Sequence, residues 1–549
     1  MRGTTLEELL SLLEEWDGAK IVGAVVDGDL RELTFPVSKD CYVVPVNMRT
    51  SDGSKIYRRS LTFLMETAFH ELFPHAFLSV DHSVPSGGYF SSVIGRDQLT
   101  AQEVEELEAH MRDLVNQDLP IKKDRVDLDE AIAYFKEKGY QDKIHLLNYR
   151  KKDYLVLYQL NAHRDYHHGY MVPSTGYLNV FKLHHTSDGF ILQYPRRATP
   201  TQLFTMPAYS KLLDIFKQYG SWLESLDIDS VASLNDAIKN GGIREVILVS
   251  EALHEQKIAE IASVVNQRKK GLRIISIAGP TSSGKTTFSK RLAIQLLTHG
   301  ISPFALEMDN YFVERDQTPL DADGKPNFEA FEALDSSQME HDLKLLMEGK
   351  EVTLPRYNFR TGKREVGDTV RIGENQVIVI EGIHGLNPKL ISDIDRSKKF
   401  LIYASCLTQL NLDHYNRIST TDSRLIRRIV RDARTRGYSA MRTIQLWDSV
   451  RRGEREYIFP FQENADAIFN SALVYELAAL KSAAEPLLRQ IPHGTEEYLE
   501  AKRLLAFLEW FLPVDSKWIP DNSIVREFIG GSILSEFHLW KNSPIEPME

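Results

Sequence analysis

Leu272-Arg-Ile-Ile-Ser-Ile-Ala-Gly-Pro-Thr-Ser-Ser-Gly-Lys-Thr-Thr287 joins a short apolar, β-branched run to a glycine-bounded loop and then to a helical pattern with Phe288, Leu292 and Leu296 on one face. Gly279 to Thr286 fits G-x-x-x-x-G-K-[ST], and strand, loop, helix is the setting that pattern requires. Glycines let backbone N–H groups turn inward as an anion nest at a helix N-terminus. Lys285 then reaches the β/γ-phosphates, and the Thr286 hydroxyl holds Mg²⁺. The stretch therefore predicts nucleotide binding on a doubly wound, parallel α/β sheet.

The chain has 549 residues, too many for a single core, with 26% charged and 42% hydrophobic residues, an ordinary globular composition. A net charge of −11 gives no global electrostatic case for nucleic acid or an anionic membrane, so any RNA contact has to be local. The two cysteines, Cys41 and Cys406, are far apart, which favours a reducing compartment over a disulfide framework. No apolar run reaches about 18 residues and the N-terminus lacks a signal-like apolar region, so a cytoplasmic protein is expected, with no membrane partner.

Five segments follow from the pattern. Residues 1–55 combine a helix from Thr5 to Trp16 with short strands, Ile21 to Val26 and Tyr42 to Val46, as a small α+β module. Residues 56–200 hold helices from Leu61 to Leu72 and from Ala101 to Asn116 among several strands. Residues 201–265 read as a helical connector, 266–480 as the nucleotide-binding domain, and 481–549 as a helical extension.

A phosphate loop alone does not choose between a kinase, a GTPase and a motor. Two acids downstream narrow the choice. Phe304-Ala-Leu-Glu-Met308 is a second apolar strand ending at Asp309, and Gln376-Val-Ile-Val-Ile380 a third ending at Glu381. Carboxylates at the C-terminal edge of such a sheet suit a general base and a metal-positioning acid, although an Asp at 309 also suits a turn or cap. Beyond them Arg424, Arg427, Arg428, Arg431, Arg434 and Arg436 recur mostly at spacings of three and four. Such a face is ordinarily solvated or a nucleic-acid stripe; beside a phosphate loop it reads as a lid helix whose guanidiniums close on the transferring phosphates.

Gly279 to Thr287, Met308-Asp-Asn-Tyr-Phe312, Leu354-Pro-Arg-Tyr-Asn-Phe359, Glu381-Gly-Ile383 and Asp422-Ser-Arg-Leu-Ile-Arg-Arg428 occur in the order seen in the uridine kinase and phosphoribulokinase family, which this segment resembles. The resemblance implies ATP as donor and Mg²⁺ held by Thr286 and Glu381. It implies a nucleotide site of Gly279, Ser282, Ser283, Gly284, Lys285, Thr286, Thr287 and Arg431. Asp309 matches the catalytic base, acting with Lys285 and the lid residue Arg427, and the acceptor site implied is Asp309, Tyr311, Tyr357, Phe359 and Arg424. There are two departures. Pyrimidine nucleoside kinases carry a base-reading His five residues after the matching Tyr, where this chain has Gly362. Their Asp-x-Phe-Tyr is inverted to Tyr311-Phe312.

Arg59 to Ala68, Glu71-Leu-Phe-Pro74 and Asp165-Tyr-His-His-Gly-Tyr-Met-Val-Pro173 resemble the N-terminal region of threonyl-tRNA synthetase. That implies a β-grasp (TGS) domain over 1–55 and an editing-type domain over 56–200. The editing site of those enzymes uses His-x-x-x-His and Cys-x-x-x-His pairs, and here the four places hold Phe63, Thr67, His167 and Met171, so hydrolysis of mischarged tRNA is expected to be lost. His163, His167, His168, His184 and His185 offer enough imidazoles for zinc. The absence of a nearby Cys, and the opposite faces of adjacent residues on a strand, favour surface or satisfied histidines instead.

The reading is a small-molecule kinase acting on a hydroxyl acceptor, foremost a nucleoside 5′-hydroxyl, and homo-oligomeric. A kinase of another hydroxylated metabolite, favoured by Gly362, and an RNA-binding or regulatory protein with a phosphate-loop switch are the other two classes.

Overall fold

The computed structural model describes residues 3–11, 18–85, 87–206, 210–321, 324, 326–358, 360–373, 375–408 and 410–537. The fold of the C-terminal region is set by five parallel strands in the order Ser302–Glu307, Gln376–Glu381, Ile274–Ala278, Lys399–Ser405, Ala467–Asn470. Strands covered on both faces need to be apolar throughout, and Ile274–Ala278, the central one, is buried at every residue. Its side chains alternate. Ile275 and Ile277 enter the main core with the following helix, Lys285–Thr298, while Ile274 joins Phe304, Leu306, Ile378 and Ile380 in a second core on the opposite face. Because all five strands are parallel, their C-terminal ends lie along one edge, where ligands bind in such sheets.

Among the described residues the N-terminal half contains three antiparallel sheets. The first runs in the order Asp29–Arg31, Ile21–Val26, Val43–Asn47. The second is four-stranded, in the order Phe77–Val84, Gly88–Ile94, Gly189–Gln193, Lys182–Thr186, and the third comprises Lys122–Asp127, Tyr154–Leu160, His163–Asp165. The helix expected from Leu61 begins ten residues earlier, spanning Ser51–Leu72. Thr50 caps it, its hydroxyl accepting from the Gly53 N–H at 3.0 Å, and burial of Ile56 and Tyr57 outweighs the turn propensity of Asp52-Gly53. The helix Ala101–Asn116 has the expected bounds. The helix expected from Thr5 to Trp16 is seen over Leu6–Leu10, and residues 12–17 lie outside the described residues.

The halves share one contiguous core. The Val80 N–H donates to the His414 carbonyl at 2.7 Å, Arg197 pairs with Asp448 at 3.1 Å, and Lys55 pairs with Glu500 at 2.6 Å. Among the described residues no helix is long and apolar enough to cross a membrane.

Candidate active site

The loop Gly279–Gly284 is held open from behind by close backbone approach. A Cβ on Gly279 would collide with the Ala404 carbonyl, while Ser282 and Gly284 adopt left-handed φ values of +56° and +79°. That alternation is what turns successive N–H groups toward a single point. The Ser282 and Ser283 hydroxyls are buried with no hydrogen-bond partner among the described residues, as befits a cradle whose donors face an anion. Lys285 opens the helix and folds back on the loop, its ammonium donating to the Pro280 carbonyl at 3.1 Å. Burial lowers its pKa, Glu381 and Glu527 oppose this, and the Arg424 and Arg431 guanidiniums add to it.

The Thr286 hydroxyl donates to Glu381 at 2.7 Å, so the two oxygens proposed for a metal already meet. Burial pushes the Glu381 carboxyl up to about 7, against the Lys285 ammonium and the Thr286 hydrogen bond. Asp309 sits on the 3-10 turn Met308–Tyr311 that follows the strand Ser302–Glu307. It is open to solvent on its outer side, yet the cleft walls withhold enough water to raise its carboxyl above the ordinary carboxylate range, and Lys285 opposes that shift. Loop, lysine and both acids therefore share the sheet's C-terminal edge.

The arginines behave differently from a lid. On the helix Thr420–Thr435, Arg424 is buried and ion-paired with Glu454, its Nε donating to the Thr281 carbonyl at 3.0 Å. Arg427 is fully buried in an ion pair with Glu476 and donates to the Ser282 carbonyl at 3.3 Å. Both hold the loop from beneath, which corrects the expectation that they close over it: a guanidinium already desolvated and paired has no free donor fork to swing onto phosphate. Arg428 reaches the Thr281 hydroxyl at 3.3 Å, and Arg431 pairs with Asp432 at 2.8 Å.

The residues expected to bind an acceptor are partly committed to packing. The Tyr311 hydroxyl is committed to Asp342 at 3.0 Å inside the second core. Tyr357 is buried edge-on against Phe312, with ring centroids 5.8 Å apart. Phe359 lies outside the described residues. Gly362 ends a tight turn of the hairpin Val352–Asn358 and Lys363–Val370, with φ +71° and Arg315 packed where a Cβ would stand.

Two acids escaped the sequence reading. The Glu329 carboxyl faces Lys285, Asp309, Arg424 and Arg428, and burial raises its pKa. Glu527 accepts from both the N–H and the hydroxyl of Thr287. Neither lies in a recognisable pattern, since each is brought in by a distant segment.

Residues 274–478 match the model of the Phosphoribulokinase / Uridine kinase family. The C-terminal half carries a domain of that family. The N-terminal half matches threonine–tRNA ligases. That of Symbiobacterium thermophilum is 31% identical over 183 residues, 33% of this chain and 28% of the ligase. That of Acidithiobacillus ferrooxidans is 28% identical over 204 residues, 37% of this chain and 32% of the ligase. The chain thus spans under a third of the length of these curated relatives. Among solved structures, a possible uridine kinase from Bacillus stearothermophilus aligns with 22% identity over 36% of this chain and 89% of its own, with a TM-score of 0.25. In the synthetase-like half, Phe63, Thr67, His167 and Met171 are all buried, and the Phe63 ring meets His167 edge-on at 5.6 Å.

Proposed function

We propose that the cleft between the glycine loop, Asp309 and Glu381 is the active site of an ATP- and Mg²⁺-dependent kinase whose acceptor is a hydroxyl of a small molecule, foremost the 5′-hydroxyl of a nucleoside. The observation that carries this reading is the meeting of Lys285, Thr286, Glu381 and Asp309 at one sheet edge beside a loop with two unpartnered buried hydroxyls. Gly279 to Thr287 supplies the donors for the phosphates, and Thr286 with Glu381 would hold Mg²⁺, which would offset phosphate charge. Asp309 accepts the acceptor's proton as its oxygen bonds to the γ-phosphorus and the bond to the β-bridging oxygen breaks, releasing ADP. Arg424 and Arg427 act as positioning residues that keep the loop carbonyls outward. Arg428, Arg431 and Glu329 line the phosphate side.

The test is ADP release across nucleosides, sugar phosphates and polyols. An acceptor-dependent rate is expected that Lys285→Ala abolishes and Asp309→Asn lowers by about 10²-fold or more while ATP binding persists. No acceptor-dependent release from any of these alcohols would refute the reading. The synthetase-like half serves binding or regulation: Phe63, Thr67 and Met171 bring no nucleophile or proton carrier to His167, so enzyme-dependent hydrolysis of Ser-tRNA is expected to be absent.

A further inference from the structure

Inside the N-terminal half, Glu66 on the helix Ser51–Leu72 faces His163 and Asp165, the two ends of the short strand His163–Asp165. A carboxylate oxygen from each acid and a ring nitrogen of His163 lie within 4.8 Å of one another. The three residues are 0%, 8% and 0% exposed in chain order, which removes water as a general answer to their polarity. Nevertheless Glu66 Oε1, His163 Nε2 and Asp165 Oδ2 have no hydrogen-bond partner among the described residues. His167 stands alongside, its Nε2 3.1 Å from Glu66 Oε2, while His163 Nε2 is 3.9 Å from the same oxygen. A buried orphaned polar atom is costly, so three in one cluster call for a common partner.

We infer that Glu66, His163 and Asp165, with His167 as a fourth ligand, form a binding site for a divalent metal ion of the zinc class. Two imidazole nitrogens with two carboxylates and no thiolate suit Zn²⁺ and its borderline neighbours, and disfavour Mg²⁺ and Ca²⁺, which prefer all-oxygen shells. Ligand atoms at about 2.0–2.2 Å from a tetrahedral ion stand roughly 3.4 Å apart, within side-chain adjustment of the observed spacings. Charge points the same way. Lys143, fully buried, lies 3.1 Å from Asp165 and 3.3 Å from Asp413, so a single ammonium is shared between two buried carboxylates while Glu66 has no ion pair with it. The pair on the strand is His163 and Asp165, two residues apart on one face, and the third group arrives from a helix, so histidine spacing alone does not show the cluster. Through Lys143 and Asp413 the site is continuous with the segment that enters the arginine helix of the kinase half.

The competing account is a proton shared among the same atoms, and metal analysis of the full-length protein purified without chelator separates the two. About one zinc-class ion per chain is expected in the wild type, lost in Glu66→Gln and His163→Ala and kept in His184→Ala, whose ring is hydrogen-bonded to Gln193. Replacement with Co²⁺ should give the visible absorption of a tetrahedral site. If the ligand variants fail to fold, X-ray absorption of the wild-type metal decides: a nitrogen and oxygen shell with imidazole scattering supports the site, and a sulfur shell overturns it. A metal-free wild type that takes up neither Zn²⁺ nor Co²⁺, or equal metal in wild type and His163→Ala, overturns it too.

Discussion

The Glu527 carboxylate accepts hydrogen bonds from Thr287 twice, from its backbone N–H at 3.3 Å and from its hydroxyl at 2.8 Å. Thr287 is the third residue of the helix that follows the glycine loop, so a carboxylate from a segment some 240 residues along the chain caps the N-terminus of that helix. The contact is braced. Arg434 donates to the Glu527 carbonyl at 2.8 Å and Phe528 lies under the Arg427 guanidinium.

Glu527→Gln should therefore tighten nucleotide binding. The neutral amide competes less well for the Thr287 donors, and the charge removed is worth about 0.3–1 kcal/mol at a helix end, or roughly two- to fivefold in Kd. Calorimetric titration with ATP checks it; weaker binding would instead assign Glu527 to support of the loaded loop.

The buried pair Arg427–Glu476 should be a pillar of stability. Glu476→Gln leaves a desolvated guanidinium without its counter-charge, a change expected to cost about 3–5 kcal/mol, whereas replacing both partners with apolar residues of similar volume should recover most of it. Urea unfolding of the two variants measures the difference.

Glu381 makes metal affinity depend on pH. With its carboxyl near 7 in the folded protein, above the ordinary value, the protonated form prevails below that point and must lose its proton to ligate. Mg²⁺-dependent nucleotide affinity should rise as pH increases from about 6 to about 8 and level off above, and Glu381→Gln should flatten the profile. The stability contribution has the opposite slope: the raised pKa favours the folded state at low pH, and that advantage is lost as pH rises from the unfolded value through about 7.

Gly362 should not accept a base-reading side chain. Its φ of +71° and the Arg315 contact make Gly362→His cost about 1–2 kcal/mol from the left-handed backbone alone. The variant should gain no preference for pyrimidine nucleosides. In the wild type, preference for uridine and cytidine over other acceptors should stay below about 10³-fold in kcat/KM, equivalent to roughly 4 kcal/mol. A larger preference would show that another residue reads the base.

The local chemistry of this chain was readable in one dimension. Gly279 to Thr287 announced a loop between strand and helix because left-handed backbone and a helix terminus are written in neighbouring residues, and the apolar runs ending at Asp309 and Glu381 placed two acids at a sheet edge because a buried parallel strand must be apolar along its length. What the tertiary structure alone decided was the partner of each charge. The spacing of Arg424 and Arg427 showed that they share a helix face, but Glu454 and Glu476 determined that this face lies under the loop. Glu527, Glu329 and the Glu66–His163–Asp165 cluster carry no local signal, since the groups they meet come from segments far along the chain. Periodicity reports which way a side chain points from its own element; desolvation and pairing depend on what folds against it.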